Sequence, residues 1–91
     1  MKHLILIKFK EEVSDKIIED IDVLFKKALQ IEGIYDIRID KNMIKLPNRY
    51  DLMIQIEMEK EALNLFDNSE IHHKWKKQFS AYIESKIIFD Y

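Results

Sequence analysis

Three histidines, His3, His72 and His73, are the side chains here whose ordinary pKa permits proton transfer near neutrality. Two of them lie in a stretch whose apolar residues recur at helical spacing. With Ile71 at the origin and roughly 100° per residue, Tyr82 falls at about 20°, Trp75 at about 40°, Phe79 at about 80° and Ile83 at about 120°. His72, at about 100°, shares that arc, whereas His73, at about 200°, joins Ser80 on the water side. His3 alternates with Ile5, Ile7 and Phe9 on one face of an N-terminal strand. Both inward histidines are therefore expected in one cavity between sheet and helix, lined by Ile5, Ile7, Phe25, Ile54, Ile56, Phe66, Trp75 and Phe79.

The chemistry of such a pair is general acid–base catalysis. An imidazole among apolar side chains has its cation disfavoured, stays a neutral base at pH 7 and can take a proton from a carbon acid or a hydroxyl. His72 is the candidate base, and His3 the group that orients the substrate or His72. A satisfied core histidine reads the same way in sequence, so that alternative stays open for each. A metal would need a third ligand beside two imidazoles, plus an open position. Asp51 and Glu57 alternate onto the other sheet face, so neither a metal nor any other cofactor is expected. No Gly-rich phosphate loop and no nucleophile elbow occurs.

The elements that must hold these residues follow from periodicity. His3 to Phe9 alternates with both faces apolar at the start, as in a central strand. Ser14 is placed to cap a helix with apolar positions Ile17, Ile18, Ile21, Leu24, Phe25, Ala28 and Ile31, and Gly33 stands where a positive-φ residue would end it. Ile34 to Asp40 reads as a half-buried strand with Tyr35, Ile37 and Ile39 on one face. After the loop Lys41 to Arg49, a third strand runs from Tyr50 to Met58. Glu59 to Asp67 reads as a short helix, Ser69 as the cap of a helix reaching Ser85, and Lys86 to Tyr91 as the last strand.

That order, β-α-β-β-α-β, predicts one ferredoxin-like α+β domain over residues 1–91: a four-stranded antiparallel sheet with helices on one face. The other face is expected to present Leu4, Leu6, Met53 and Ile88 beside Gln55, Glu57 and Asp90. An apolar patch of this kind meets a partner, and apposition of two such faces gives a homodimer.

Composition narrows the classes further. The 91 residues include no cysteine, one glycine and one proline, which excludes a disulfide framework, thiolate metal sites and a cysteine nucleophile. Fifteen Lys and Arg against 17 Asp and Glu give a net charge of −2, with no basic stripe for nucleic acid. The apolar run Leu4 to Ile7 is too short for a signal h-region or a membrane span, so a cytoplasmic protein without membrane contact is expected. A domain this small buries only about 60–65% of its unfolded surface, and pairing with a second copy would add to that.

Three segments, KHLILIKFK (residues 2–10), YDLMIQIEMEKEAL (50–63) and KIIFDY (86–91), taken in order, resemble the Dabb family of stress-responsive dimeric A/B barrel domains. The likeness runs over essentially the whole chain. It implies a ferredoxin-like monomer pairing through its sheets into a dimeric α+β barrel, with a pocket for a small apolar or aromatic ligand in each subunit. In a plant cyclase of the family, a histidine on the last long helix is the base of an aldol cyclisation, supported by a first-strand histidine and a tyrosine. The matching positions here are His72, His3 and Phe66. The family pattern Tyr-x-x-His-Pro-x-His is replaced by Phe66, Asp67, Asn68, Ser69, Glu70, Ile71 and His72, and a phenylalanine cannot donate a hydrogen bond to a developing oxyanion. The resemblance thus implies lyase- or cyclase-like acid–base chemistry on a different substrate. A non-catalytic ligand-binding or stress-related module is the alternative, and a cofactor-free monooxygenase a third reading by fold analogy.

Overall fold

The computed structural model describes residues 1–91. Its elements are β1 (Lys2–Phe9), α1 (Asp15–Lys26), β2 (Ile34–Lys41), β3 (Leu52–Met58), α2 (Ala62–Asp67), α3 (Glu70–Phe79) and β4 (Ile83–Asp90). Single 3-10 turns extend α1 to Gln30 and α3 to Tyr82. The strands are ordered β2-β3-β1-β4 with every neighbour antiparallel, the ferredoxin-like α+β arrangement expected from the sequence.

Local chemistry accounts for these elements. β1 alternates buried His3, Ile5, Ile7 and Phe9 with half-buried partners, as a central strand must. Ser14 and Ser69 both take extended backbone and accept N–H groups of the first helical turn, from Ile17 and His72. The core is a single cluster in which Ile21, Leu24 and Phe25 of α1 and Trp75 and Phe79 of α3 pack on the strands.

Four local expectations are corrected. The last helix stops at Phe79 instead of Ser85, because the Ser80 hydroxyl bonds back to the Lys76 carbonyl and the chain tightens into a 3-10 turn. β4 then begins at β-branched Ile83, which pairs with Phe9, while the Lys10 N–H donates to the Tyr82 carbonyl at 2.9 Å. In β2 the register shifts between Ile34 and Asp36. This bulge turns Tyr35 outward, 61% exposed, and gives its inward place to Ile34.

The third correction concerns faces. His3 stands opposite Asp90 and Ile5 opposite Ile88, and directly opposed residues share a face, so Ile88 and Asp90 belong to the helix side. The open face therefore carries Leu4, Leu6, Met53, Ile87, Phe89 and Tyr91. It is more apolar than expected: Phe89 and Tyr91 are 61% and 58% exposed, with rings 5.8 Å apart.

Gly33 does adopt positive φ (88°), but beyond the extended cap Ile31 and not directly at the helix end. A Cβ there would stand 3.0 Å from the Ala62 Cβ. Gly33→Ala is expected to cost about 1–3 kcal/mol through backbone strain and this contact. Urea denaturation checks it, and a variant as stable as the parent would contradict it.

Candidate functional site

β1 carries His3 beneath the helical layer, where it is 5% exposed, and its Nδ1 lies 2.5 Å from Asp90 Oδ1. The pair is a product of register, since the two residues oppose each other across β1 and β4. An Nδ1–H donated to the carboxylate fixes the ring and leaves Nε2 as the free nitrogen.

His72 is the third residue of α3. One hydroxyl sets the joint beneath it: Ser69 Oγ accepts the His72 N–H at 3.2 Å and donates to the Phe66 carbonyl at 2.6 Å, tying α2 to α3. The His72 side chain is 17% exposed, and its Nε2 lies 3.9 Å from Asp67 Oδ1, beyond hydrogen-bond length. Burial is the main influence on this imidazole and pushes its pKa below the ordinary 6.5, against the pull of the Asp67 carboxylate; Lys76, Lys86 and His73 push the same way as burial.

The sign of the pH effect follows. Because the folded state disfavours the imidazolium, the neutral base and its share of stability are intact above pH 6.5 and are lost as pH falls below that value toward the lower folded pKa. In an NMR titration the His72 ring is expected to show a midpoint below 6.5. A midpoint at or above it would contradict this assignment.

Phe66 is the element common to both histidines. Its ring centroid stands 6.1 Å from that of His3 and 5.3 Å from that of His72, both T-shaped. The contacts continue through Phe25 (6.2 Å) to Trp75 (4.9 Å) and Phe79 (5.6 Å). Ile5, Ile7, Phe25, Ile54, Ile56, Phe66, Trp75 and Phe79 are all 5% exposed or less and belong to the core cluster, and Phe79 also borders a cavity between α1 and α3.

Surface cavities of about 440, 420 and 300 Å³ are present; Phe79 lines the second, and neither His3 nor His72 lines any of the three. The first sits between the β1–α1 connection and the loop before β3, over Phe9, Val13 and Leu46. The second runs between α1 and α3, and the third beside α1 and β2. On the helix side of β4, Lys86, Ile88 and Asp90 remain exposed, with Asp90 opposite His3.

Sequence reasoning missed Asp90 by assigning it to the wrong face; antiparallel pairing of the first and last strands was the signal that could have found it. It also passed over Asp67, the last residue of α2, five positions before His72. His73 is exposed, as the helical wheel indicated. No group of three or more His, Asp or Glu side chains is arranged to hold a metal ion. No helix is long and apolar enough to cross a membrane.

A family model described as the stress responsive A/B barrel domain, Dabb, matches residues 1–91. No curated protein matches the sequence. Several solved structures share the fold. The Arabidopsis thaliana protein At3g17210 is 23% identical with a TM-score of 0.79, over 99% of this chain and 91% of that one. A Bacteroides fragilis protein, described as dimeric, ferredoxin-like and of unknown function, is 19% identical with a TM-score of 0.72, over 99% and 92%. The hydroxynitrile lyase of Passiflora edulis is 14% identical with a TM-score of 0.77, over 99% and 89%.

Proposed function

We propose a cofactor-independent acid–base function for this chain, which belongs to the Dabb family, the stress responsive A/B barrel domains. The reaction is lyase- or cyclase-like and acts on a small apolar or aromatic substrate. His72 takes the proton of a C–H or O–H bond on a ring nitrogen, the bonding electron pair stays with the substrate, and the proton returns as product forms. His3, fixed by Asp90, orients the reacting group.

The observation that carries this reading is one half-buried histidine whose cation is disfavoured by burial and a second held by a carboxylate, each packed against the Phe66 ring. The fold likeness to the Passiflora edulis hydroxynitrile lyase adds that this architecture accommodates a lyase. Phenylpyruvate, an aromatic carbon acid, is a suitable probe. In D2O its benzylic protons should exchange faster with the protein than in buffer, and His72→Ala should remove about 10²–10⁴-fold of any such acceleration.

The dense packing around Phe66 favours a second reading, a non-catalytic ligand-binding or stress-related module in which both histidines are structural. Ligand uptake without exchange would mark it. In either reading the protein is a homodimer formed through its open sheet faces, supported by the exposed Ile87, Phe89 and Tyr91 and by the dimeric Bacteroides fragilis relative.

A further inference from the structure

The end of β1 far from His3 carries a cavity of about 440 Å³, where the strand end, the β1–α1 connection and the loop before β3 meet. Phe9, which lines it, follows His3 by six residues of one strand, roughly 20 Å. A ligand there is a matter apart from proton transfer by His72. The volume falls within the roughly 300–1,000 Å³ of small-molecule sites.

Bonds across the loop build this cavity in advance. Lys8 Nζ donates to the Pro47 and Arg49 carbonyls at 2.9 and 3.2 Å, and the Phe9 N–H donates to Asp51 Oδ2 at 2.8 Å. Asn42 closes the loop base: its Nδ2 donates to the Tyr50 carbonyl and its Oδ1 accepts the Ile44 N–H. Two ion pairs of 2.8 Å, Lys41–Asp15 and Lys45–Glu12, tie this side to α1 and to the connection before it. Ile44 and Leu46, each 51% exposed, share the apolar wall with Phe9, Val13 and Ile18, which pack in or against the core.

The polar wall selects by charge. Four lysines and four carboxylates line the cavity, and six of the eight are engaged in the bonds just given. The remaining two, Lys10 and Glu11, are of opposite sign. An ion of either sign would exchange its hydration for a wall whose charges cancel. An uncharged molecule meets no such cost and gains by covering the apolar side chains.

We propose that this cavity binds an uncharged aromatic or branched aliphatic molecule, its carbon skeleton against Phe9, Val13, Ile18, Ile44 and Leu46. Both ion pairs are exposed, and so weak enough to part as the ligand enters.

Titration of the full chain with 1-naphthalenemethanol, 1-naphthoate and 1-naphthylmethylammonium, followed by amide NMR shifts, tests this, because the three share a ring and differ in charge. The alcohol is expected to bind about tenfold more tightly than either ion, with shifts concentrated at Val13, Ile18 and residues 44–46. Ile44→Ser/Leu46→Ser lies outside the core cluster, so it should keep the fold and lose about tenfold in alcohol affinity. Val23→Ser, in the cavity between α1 and α3, should leave that affinity unchanged. The proposal is overturned by no shifts at about 1 mM alcohol, by an ion that binds as tightly, or by shifts centred on Phe66 and His72. Affinity that survives the double substitution, or is lost with Val23→Ser instead, overturns it too. Should the double variant fail to fold, the shift pattern and charge preference of the parent decide.

Discussion

Replacing Phe66 with alanine is expected to lower the unfolding free energy by about 3–5 kcal/mol. The ring is 1% exposed and packs against Phe25, His3 and His72. Its removal forfeits transfer free energy and leaves a void that the surrounding rings fill only in part. Domains are stable by about 5–15 kcal/mol, so the variant should sit near the limit of folding, with a sharply lower urea midpoint and an unchanged slope. The void would be apolar and bordered by both imidazoles. Benzene should therefore raise the melting temperature of Phe66→Ala but not of the parent, as in other dry apolar cavities. A loss below about 1 kcal/mol, with no response to benzene, would show that Phe66 does not fill the space between the histidines.

The second large effect concerns the open sheet face. Leu6 lies opposite Ile87 and Leu4 opposite Phe89, so Leu6→Asp with Phe89→Asp puts two carboxylates into the middle of one apolar face and four into a dimer. Charges stranded in such an interface cost several kcal/mol. The dimer dissociation constant is expected to rise by about a thousandfold or more, equivalent to about 4 kcal/mol. Neither residue belongs to the core cluster, so the monomer should keep its fold and its circular dichroism. Sedimentation equilibrium reads the outcome. A parent protein that is monomeric at micromolar concentration, or a double variant that still pairs, would contradict the open-face interface.

Much of this architecture was legible in the residues. The two-residue alternation of β1 and β3, the helical spacing from Ile17 to Ala28 and the serines at positions 14 and 69 each specify a local structure, and each formed it. The inward turn of His72 and the outward turn of His73 followed from the helical wheel alone. The facing of β4 did not, because Ile87 and Ile88 are adjacent and both apolar, so alternation could not choose between them. Only the register with β1 decides, and it brings Asp90 to His3. The bulge at Tyr35 was hidden for a similar reason: an extra residue in a strand shows only against its partner.

Whether these residues line a pocket or fill a core was not legible in the sequence, for a deeper physical cause. A cavity lined by isoleucine and aromatic rings and a core filled by them demand the same residue types at the same spacing. Whether Phe66 borders an empty space or occupies it depends on how α2 seats on the sheet, and here the ring is fully enclosed.

The most direct test of proton transfer by His72 is the rate at which the benzylic protons of phenylpyruvate exchange for solvent deuterium at pH 7, with parent and His72→Ala compared by NMR. The parent should exceed the buffer rate. His72→Ala should lose about 10²–10⁴-fold of that acceleration while its melting temperature stays nearly the same. A parent no faster than buffer, or a folded His72→Ala that keeps the parent rate, would contradict His72 as the base.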